Sequence, residues 1–475
     1  MNPFSTIKDL KIGLKNKEFS PKELFDFYQN RLKKYNDRLN VALSFQDTPA
    51  SFGEEGLLAG IPCLVKDNVC MKDVITTAGS KILTNFKPSY DAHIISEIRT
   101  HGGSFLGKSN MDEFAMGGSG EFSAFGAAKN PWNIAHSPGG SSSGSAAAVA
   151  AGLAPWAIGT ETGGSVRGPA AFCGLVGMYP TYGLVSRFGL LAFGSSLDQA
   201  GAITRTVYDN ALVMSVLAGH DAKDSTSLPE SKIDYTKKLD GKLPRDLTIG
   251  VLKDSFGEGV DPEIRAATER SIKILESMGA KIKTIELPSF KYAISVYFIT
   301  SRAEAASNLA RIDGSLYGVR KSNKDLSEMY LQTRDEGFGL EVKRRILLGN
   351  YVLSSAHRNI YEKANLVRAL IRNELDNAFE DVDVIVAPTS SSLAFKLGEM
   401  TNDPIKMYLS DYFVLPNCVA GYPAISVPSG LSKSGLPIGI QFMGPKLSEE
   451  KLFITAHAFE QNSGHHNMHP QGFNE

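Results

Sequence analysis

Three short stretches hold residues whose types and spacing could do chemistry. The run PGGSSSGSAAA, Pro138 to Ala148, carries Ser141, Ser142, Ser143 and Ser145 among three glycines. Twenty-four residues after Ser141 comes Thr162-Gly163-Gly164-Ser165-Val166-Arg167, directly behind the apolar segment WAIGT. Lys66 follows the apolar run IPCLV and has Asp67 and Asn68 beside it.

The serine run admits three readings. Gly139 to Gly144 has the G-x-x-x-x-G spacing of a phosphate cradle, but Ser145 stands where a lysine would neutralise phosphate. Gly140-Ser141-Ser142-Ser143-Gly144 matches G-x-S-x-G, with Ser142 as nucleophile. That elbow needs a late histidine, and His457 lies in a terminal amphipathic helix instead of a loop after a strand. The third reading makes the run one part of a larger serine site. Two glycines ahead of Ser165 let backbone N–H groups converge, as an oxyanion hole requires. No histidine accompanies Ser165, so the candidate base is Lys66. A free lysine, with a pKa of about 10.4, is a poor base at neutral pH; burial lowers it by several units. A second serine would then carry the proton between Lys66 and Ser165.

These groups need strands and turns to hold them. IPCLV, GGSFLGK (Gly102 to Lys108) and APWAIGT (Ala154 to Thr160) read as short buried strands, and SAAAVAAGLA as a small-residue helix that starts at the serine run. Strand, glycine-rich turn, helix and strand make an α/β pattern. Upstream, Ser20-Pro21-Lys22-Glu23 is a capping box that opens a helix with Leu24, Tyr28, Leu32 and Tyr35 on one face. Downstream, residues 220–247 read as a polar surface connection. LTIGVL, KIKTIEL, VDVIVAP, AISVP and IGIQFMG are further strands; Asp261 caps one helix, and the last helix starts at Ser448.

Composition narrows the class. The chain has 475 residues, 42% hydrophobic and 21% charged, with a net charge of −1, so it offers no general basic field for nucleic acid. Its four cysteines form no CxxC pair and read as reduced thiols. No segment has the apolar core of a secretory signal or the ~18 apolar residues of a membrane span, and the expected location is cytoplasmic. His465, His466 and His469 are expected in a frayed, exposed terminus instead of a metal site.

The run from PGGSSSGSAAA through TGGSVRGPAAFCGLVG resembles the amidase signature, and VKDN around Lys66 fits it at 75 residues before Ser141. The resemblance extends almost end to end. It is strongest to the branch of A subunits of glutamyl-tRNA(Gln) amidotransferases, through NMDEFAMGGS, PTYGLVSRFGLLAFGSSLDQAG, EGFGLEVKRRILLGNYVLSS and MYLSDYF. It implies one α/β/α domain over 1–475, built on a mixed, largely parallel central sheet flanked by helices. Within that domain, 1–55 is a helical segment, 56–205 the catalytic core and 220–247 a surface connection.

The resemblance also implies roles. Ser165 is the acyl-ester nucleophile, Ser141 a bridging serine with a cis peptide and Lys66 the general base, and the amides around Thr162, Gly163, Gly164 and Ser165 form the oxyanion hole. Tyr297, Arg345 and Asp411 line the substrate site. A zwitterionic amino acid such as glutamine needs one fixed cation and one fixed anion, and arginine suits a carboxylate. The implied activity is hydrolysis of glutamine to glutamate and ammonia without a cofactor in this chain. Partner subunits of B and C type, in a heterotrimer, would use the ammonia with ATP and Mg²⁺ on Glu-tRNA(Gln). Several residues depart from the family pattern: Ser143 replaces a glycine, Glu161 an aspartate, Gly168 a glutamine and Tyr179 a lysine, and AHRNIYEKA an aromatic-rich stretch. The rival readings are a stand-alone amidase acting on another small amide and a catalytically weakened assembly subunit.

Overall fold

The computed structural model describes residues 1–400, 407 and 409–474. Among these residues, eleven strands form one sheet in the order β1-β3-β2-β4-β6-β5-β10-β11-β9-β7-β8. The first six are β1 (Ala42–Phe45), β2 (Pro62–Lys66), β3 (Ser104–Ser109), β4 (Trp156–Glu161), β5 (Val176–Tyr179) and β6 (Gln199–Thr204). The rest are β7 (Thr248–Leu252), β8 (Lys281–Ile285), β9 (Val384–Pro388), β10 (Ala424–Leu431) and β11 (Pro437–Met443).

The expected mixed sheet with flanking helices is present, but parallel pairing is confined to two groups. These are β3-β2-β4 and β9-β7-β8. The strands between β4 and β9, and the β1 edge, pair antiparallel. The difference comes from β5 and β6, which the apolar pattern had not marked and which insert antiparallel beside β4. β1 also went unmarked, so residues 1–55 supply an edge strand besides α1 (Ile7–Lys15) and α2 (Pro21–Leu39).

Strands at the centre are buried along their whole length, as PCLVK and WAIGTE are, which is why they read as continuous apolar runs. The small residues of the helix Ser143–Ala150 let it lie almost on the sheet edge. A Cβ at Gly144 would sit 2.3 Å from the Val41 carbonyl oxygen. Caps follow the sequence: Ser20 forms the capping box of α2, and Asp261 accepts from Glu263 N–H at the start of the helix Pro262–Ser277. Residues 219–247 hold no helix or strand.

The C-terminus is docked instead of frayed. The His469 ring stacks on Phe4 with centroids 4.2 Å apart, and Arg31 donates to the carbonyl of buried Phe473 at 2.5 Å. One guanidinium and one ring pair anchor what composition alone presented as a loose polar tail.

Candidate active site

β2 and β4 run parallel in register, Leu64 opposite Ala157 and Val65 opposite Ile158, so Lys66 and Thr160 reach the same end of the sheet. Ligands in α/β folds gather beyond such strand ends. The serine run arrives there just ahead of the helix Ser143–Ala150 and is stitched to both neighbours. Ser145 Oγ lies 2.7 Å from Ser109 Oγ and donates to the Ile158 carbonyl at 2.8 Å, and Gly144 N–H donates to the Asn110 carbonyl.

Lys66 is wholly buried, yet its amine forms no ion pair among the described residues. Its Nζ stands 2.7 Å from Ser141 Oγ, 2.9 Å from Ser142 Oγ and 2.9 Å from the Thr160 carbonyl. Burial pulls its pKa down to about 7, against the more distant pull of Asp112, Asp198 and Glu161. The Thr160 carbonyl can only accept, and Ser142 Oγ is placed to donate to that same carbonyl at 3.2 Å. Ser141 is therefore the neighbour with a hydroxyl proton to give. Its peptide bond to Gly140 is cis. Asp112 packs behind it: Asp112 N–H donates to the Ser141 carbonyl, and its carboxylate accepts from Gly120 and Phe122 N–H at 3.0 Å.

Ser165 begins the step from β4 into the helix Arg167–Cys173. It is 3% exposed, and its carbonyl accepts from Ser142 N–H at 3.2 Å, which joins the two serine loops. Glu161 ties the turn together from beneath. Its carboxylate accepts from the N–H groups of Gly164, Val166 and Arg167 at 2.9–3.0 Å and from the Arg167 guanidinium. Burial raises the Glu161 pKa, but the charge and hydrogen bonds of Arg167 outweigh it and leave the carboxylate below its ordinary value. Of the four amides expected to form an oxyanion hole, that of Gly164 is turned inward and donates to Glu161 Oε1 at 3.0 Å, so it is not placed to hold an oxyanion.

Arg167 also donates to Asn417, Gln441 and the Val414 carbonyl, and it lies over the Tyr179 ring, 5.4 Å from the centroid. Two departures from the family pattern, Glu161 and Tyr179, thus meet on one guanidinium. Two others have local accounts: Ser143 is buried with its hydroxyl unpartnered, and a Cβ at Gly168 would meet no atom within 4 Å.

The three substrate-side residues converge from separate elements. Tyr297 lies on the helix Ala293–Leu309 and presses its ring on the TGGS turn: a Cβ at Gly163 would be 2.6 Å from its Cε2. Arg345 points inward from the helix Leu340–Leu353. It is 2% exposed, donates from Nε to Glu341 at 2.8 Å and lies 5.3 Å over the Phe193 ring. Its neighbour Lys343 pairs with Asp335 at the surface, and the more exposed Arg344 shares the buried Glu341 carboxylate with Arg345. The Asp411 carboxylate faces the turn, since Cβ atoms at Gly164 and Gly118 would lie 3.5 and 3.7 Å from its oxygens. Burial and then the charge of Glu161 push its pKa up to about 8, against Arg345 and Arg167.

A lysine-serine corner, a glycine-serine turn beside it and an arginine-aspartate pair opposite therefore share one end of the sheet. The family model for amidases matches residues 23–453. The chain belongs to the amidase family. It is similar to the A subunit of the glutamyl-tRNA(Gln) amidotransferase of Halothermothrix orenii, with 49% identity over 96% of each chain. The corresponding protein of Thermodesulfovibrio yellowstonii is 52% identical over 88% of this chain and 86% of that one. The crystal structure of the corresponding protein from Thermotoga maritima superposes with a TM-score of 0.86 at 37% identity, covering 100% of this chain and 98% of that one.

The alternative elbow is not assembled in this amidase. His457 lies on the helix Glu449–Ser463 beside Glu460 at 3.5 Å, while Ser142 Oγ is engaged by Lys66 and Thr160. The stretch AHRNIYEKA forms the turn into the helix Arg358–Asp381 and its first turns. Sequence reasoning missed Asp112, Asp198 and Glu341. Each is a buried acid: Asp198 and Glu341 hold Thr162 and Arg345 through their carboxylates, and Asp112 holds Ser141 through its backbone N–H.

Proposed function

We propose that this amidase is the glutamine-hydrolysing subunit of a tRNA-dependent amidotransferase. The observation that carries the reading is a buried Lys66 amine, without a counter-ion among the described residues, 2.7 Å from Ser141 Oγ at the mouth of a turn walled by Arg345, Asp411 and Tyr297. The amidotransferase relatives support the substrate; Arg345 offers a cation, and Asp411, raised to about 8 in the empty site, becomes the matching anion when a substrate ammonium beside it favours its charged form.

Neutral Lys66 takes the Ser141 proton while Ser141 takes that of Ser165, and Ser165 Oγ attacks the glutamine side-chain amide. The amides of Thr162, Gly163 and Ser165 hold the oxyanion; removing one such donor costs roughly 3–4 kcal/mol of barrier. Collapse breaks the C–N bond, the relay returns the proton to nitrogen, and ammonia leaves with a γ-glutamyl ester on Ser165. Water, deprotonated through the same relay, then releases glutamate and restores the serine. Arg345 holds the substrate α-carboxylate and Asp411 its ammonium. The ammonia would pass to B- and C-type partner subunits, which would use it with ATP and Mg²⁺ on Glu-tRNA(Gln).

The test is glutaminase activity of the purified chain with and without its partner subunits. Robust activity in the complex, abolished by Ser165→Ala, is the expected result. Equal activity in Ser165→Ala, or preferential hydrolysis of amides that are not amino acids, would overturn it.

A further inference from the structure

The turn Phe193-Gly194-Ser195-Ser196-Leu197-Asp198 touches the TGGS turn, Arg345 and the helix that carries Tyr297. Asp198 is buried, and its Oδ1 accepts from Thr162 Oγ1 at 2.6 Å, inside the TGGS turn. The same carboxylate closes its own turn by accepting from Phe193 N–H at 2.9 Å and Gly194 N–H at 3.1 Å. Leu197 and Asp198 N–H both return to the Gly194 carbonyl at 2.8 Å. The turn is thus rigid about one carboxylate, and that carboxylate grips the loop bearing Ser165.

Its other end reaches the substrate side. The Phe193 ring, 1% exposed, is the surface on which the Arg345 guanidinium rests. On the helix that carries Tyr297, Asn308 donates to the Phe193 carbonyl at 3.2 Å and to Ser195 Oγ at 2.9 Å, and Glu304 accepts from Ser196 N–H and Oγ. Glu341 holds the Arg345 Nε side at 2.8 Å, and the Phe193 ring sets the plane against which the guanidinium lies. The backbone that carries this ring is held by the same carboxylate that accepts from Thr162 Oγ1.

We propose that Asp198 is a positioning residue that holds the carboxylate-binding Arg345 in register with the Ser165 turn. This rests on the glutaminase reading above. Reaction between a bound amide and a serine falls steeply with misplacement on the ångström scale. A shared anchor makes the distance from α-carboxylate to side-chain amide the quantity the site measures. Glutamine fits that distance, and an amide without the carboxylate gains nothing from it. Asparagine at 198 keeps the volume but presents an NH₂ group to donors that need an acceptor, so the two halves separate.

The experiment compares glutamine with 4-aminobutanamide, which is glutamine without its α-carboxylate, on the complex with its partner subunits. The ratio of the two kcat/KM values is read for wild type and Asp198→Asn. Loss of register predicts a ratio lowered about tenfold or more, with KM for glutamine raised and 4-aminobutanamide turnover much less affected. A merely structural role slows both substrates alike and leaves the ratio unchanged, which would overturn the proposal. Phe193→Leu removes the ring under Arg345 and leaves the carboxylate network, so it serves if Asp198→Asn does not fold. It predicts a smaller fall in the same ratio, and an unchanged ratio there overturns the proposal equally. A wild-type ratio near one would contradict the glutamine reading and this inference together, and it is seen before any substitution is made.

Discussion

Two lysines on neighbouring parallel strands end in opposite circumstances. Lys66 on β2 and Lys108 on β3 are both wholly buried. The register pairs Val65 with Lys108, so the two lysine side chains leave opposite faces of the sheet. Lys108 has a carboxylate within 3.5 Å, Asp67, together with the Val69 carbonyl at 2.5 Å and Thr76 Oγ1 at 3.2 Å. Lys66 has two hydroxyls and one carbonyl. Burial lowers both, but an adjacent anion supports the charge of Lys108, whereas the acids that act on Lys66 stand farther off. At equal depth, Lys108 stands beside an anion and Lys66, among the described residues, beside uncharged groups alone.

Exchanging the lysines for methionine breaks the comparison most sharply. Lys66→Met should lower kcat/KM for glutamine by about 10³-fold or more while the melting temperature holds or rises, because a desolvated amine has been replaced by an apolar chain of similar length. Lys108→Met leaves Asp67 buried without its cation and should destabilise the fold by about 3–5 kcal/mol. Its kcat per folded molecule should change far less. Denaturant melts and glutaminase rates on the same preparations check both halves, and a stability loss in Lys66→Met equal to that in Lys108→Met would contradict the assignment.

The next effect separates chemistry from recognition. Arg345→Lys keeps the charge but loses the planar fork resting on Phe193 and tied to Glu341. We expect KM for glutamine to rise about 10–100-fold, the size of one hydrogen bond to a charged group, with a smaller fall in kcat. A change confined to kcat would place Arg345 outside substrate binding.

The smallest effect is in pH dependence, and it carries two opposite signs. Activity needs neutral Lys66, so kcat/KM should climb through an apparent pKa near 7 and level off above it. Stability between pH 5 and 7 runs the other way. Burial raises Asp112 and Asp198 to about 6, and Asp209, buried where it accepts from Ile7 N–H at 2.8 Å, to about 7, so the folded state holds more protons than the unfolded state there. Stability from these groups is full below about pH 4 and is lost as pH rises through their folded values. Lys66→Met should erase the activity limb and leave the stability slope, read by thermal melts across the same buffers.

The serine-lysine corner was legible because its spacing depends on strand ends and glycines that local sequence displays. Lys66 follows an apolar run that became β2, and the TGGS turn follows one that became β4. The inward turn of Gly164 N–H was not legible, since it depends on Glu161 reaching across three residues with a side chain whose length matters. Asp198 and Asp112 escaped for a related reason. Their partners are backbone amides and hydroxyls set by turns, and no periodic pattern marks such a carboxylate. The central antiparallel strands were hidden differently: QAGAIT and VGMY are short, glycine-bearing and bounded by no hairpin turn, so neither alternation nor length distinguished them. Arg345 and Asp411 needed the family pattern to be singled out, because their convergence joins segments far apart in the chain.

The central claim is that Ser165 attacks and Lys66, through Ser141, makes it able to. Acid-quenching the complex during glutamine turnover and mapping the modified peptide by mass spectrometry tests this directly. A γ-glutamyl ester on Ser165 in the wild type, and none in Lys66→Met, is the predicted result. An ester on Ser141 or Ser142, or full turnover in Ser165→Ala, would contradict it.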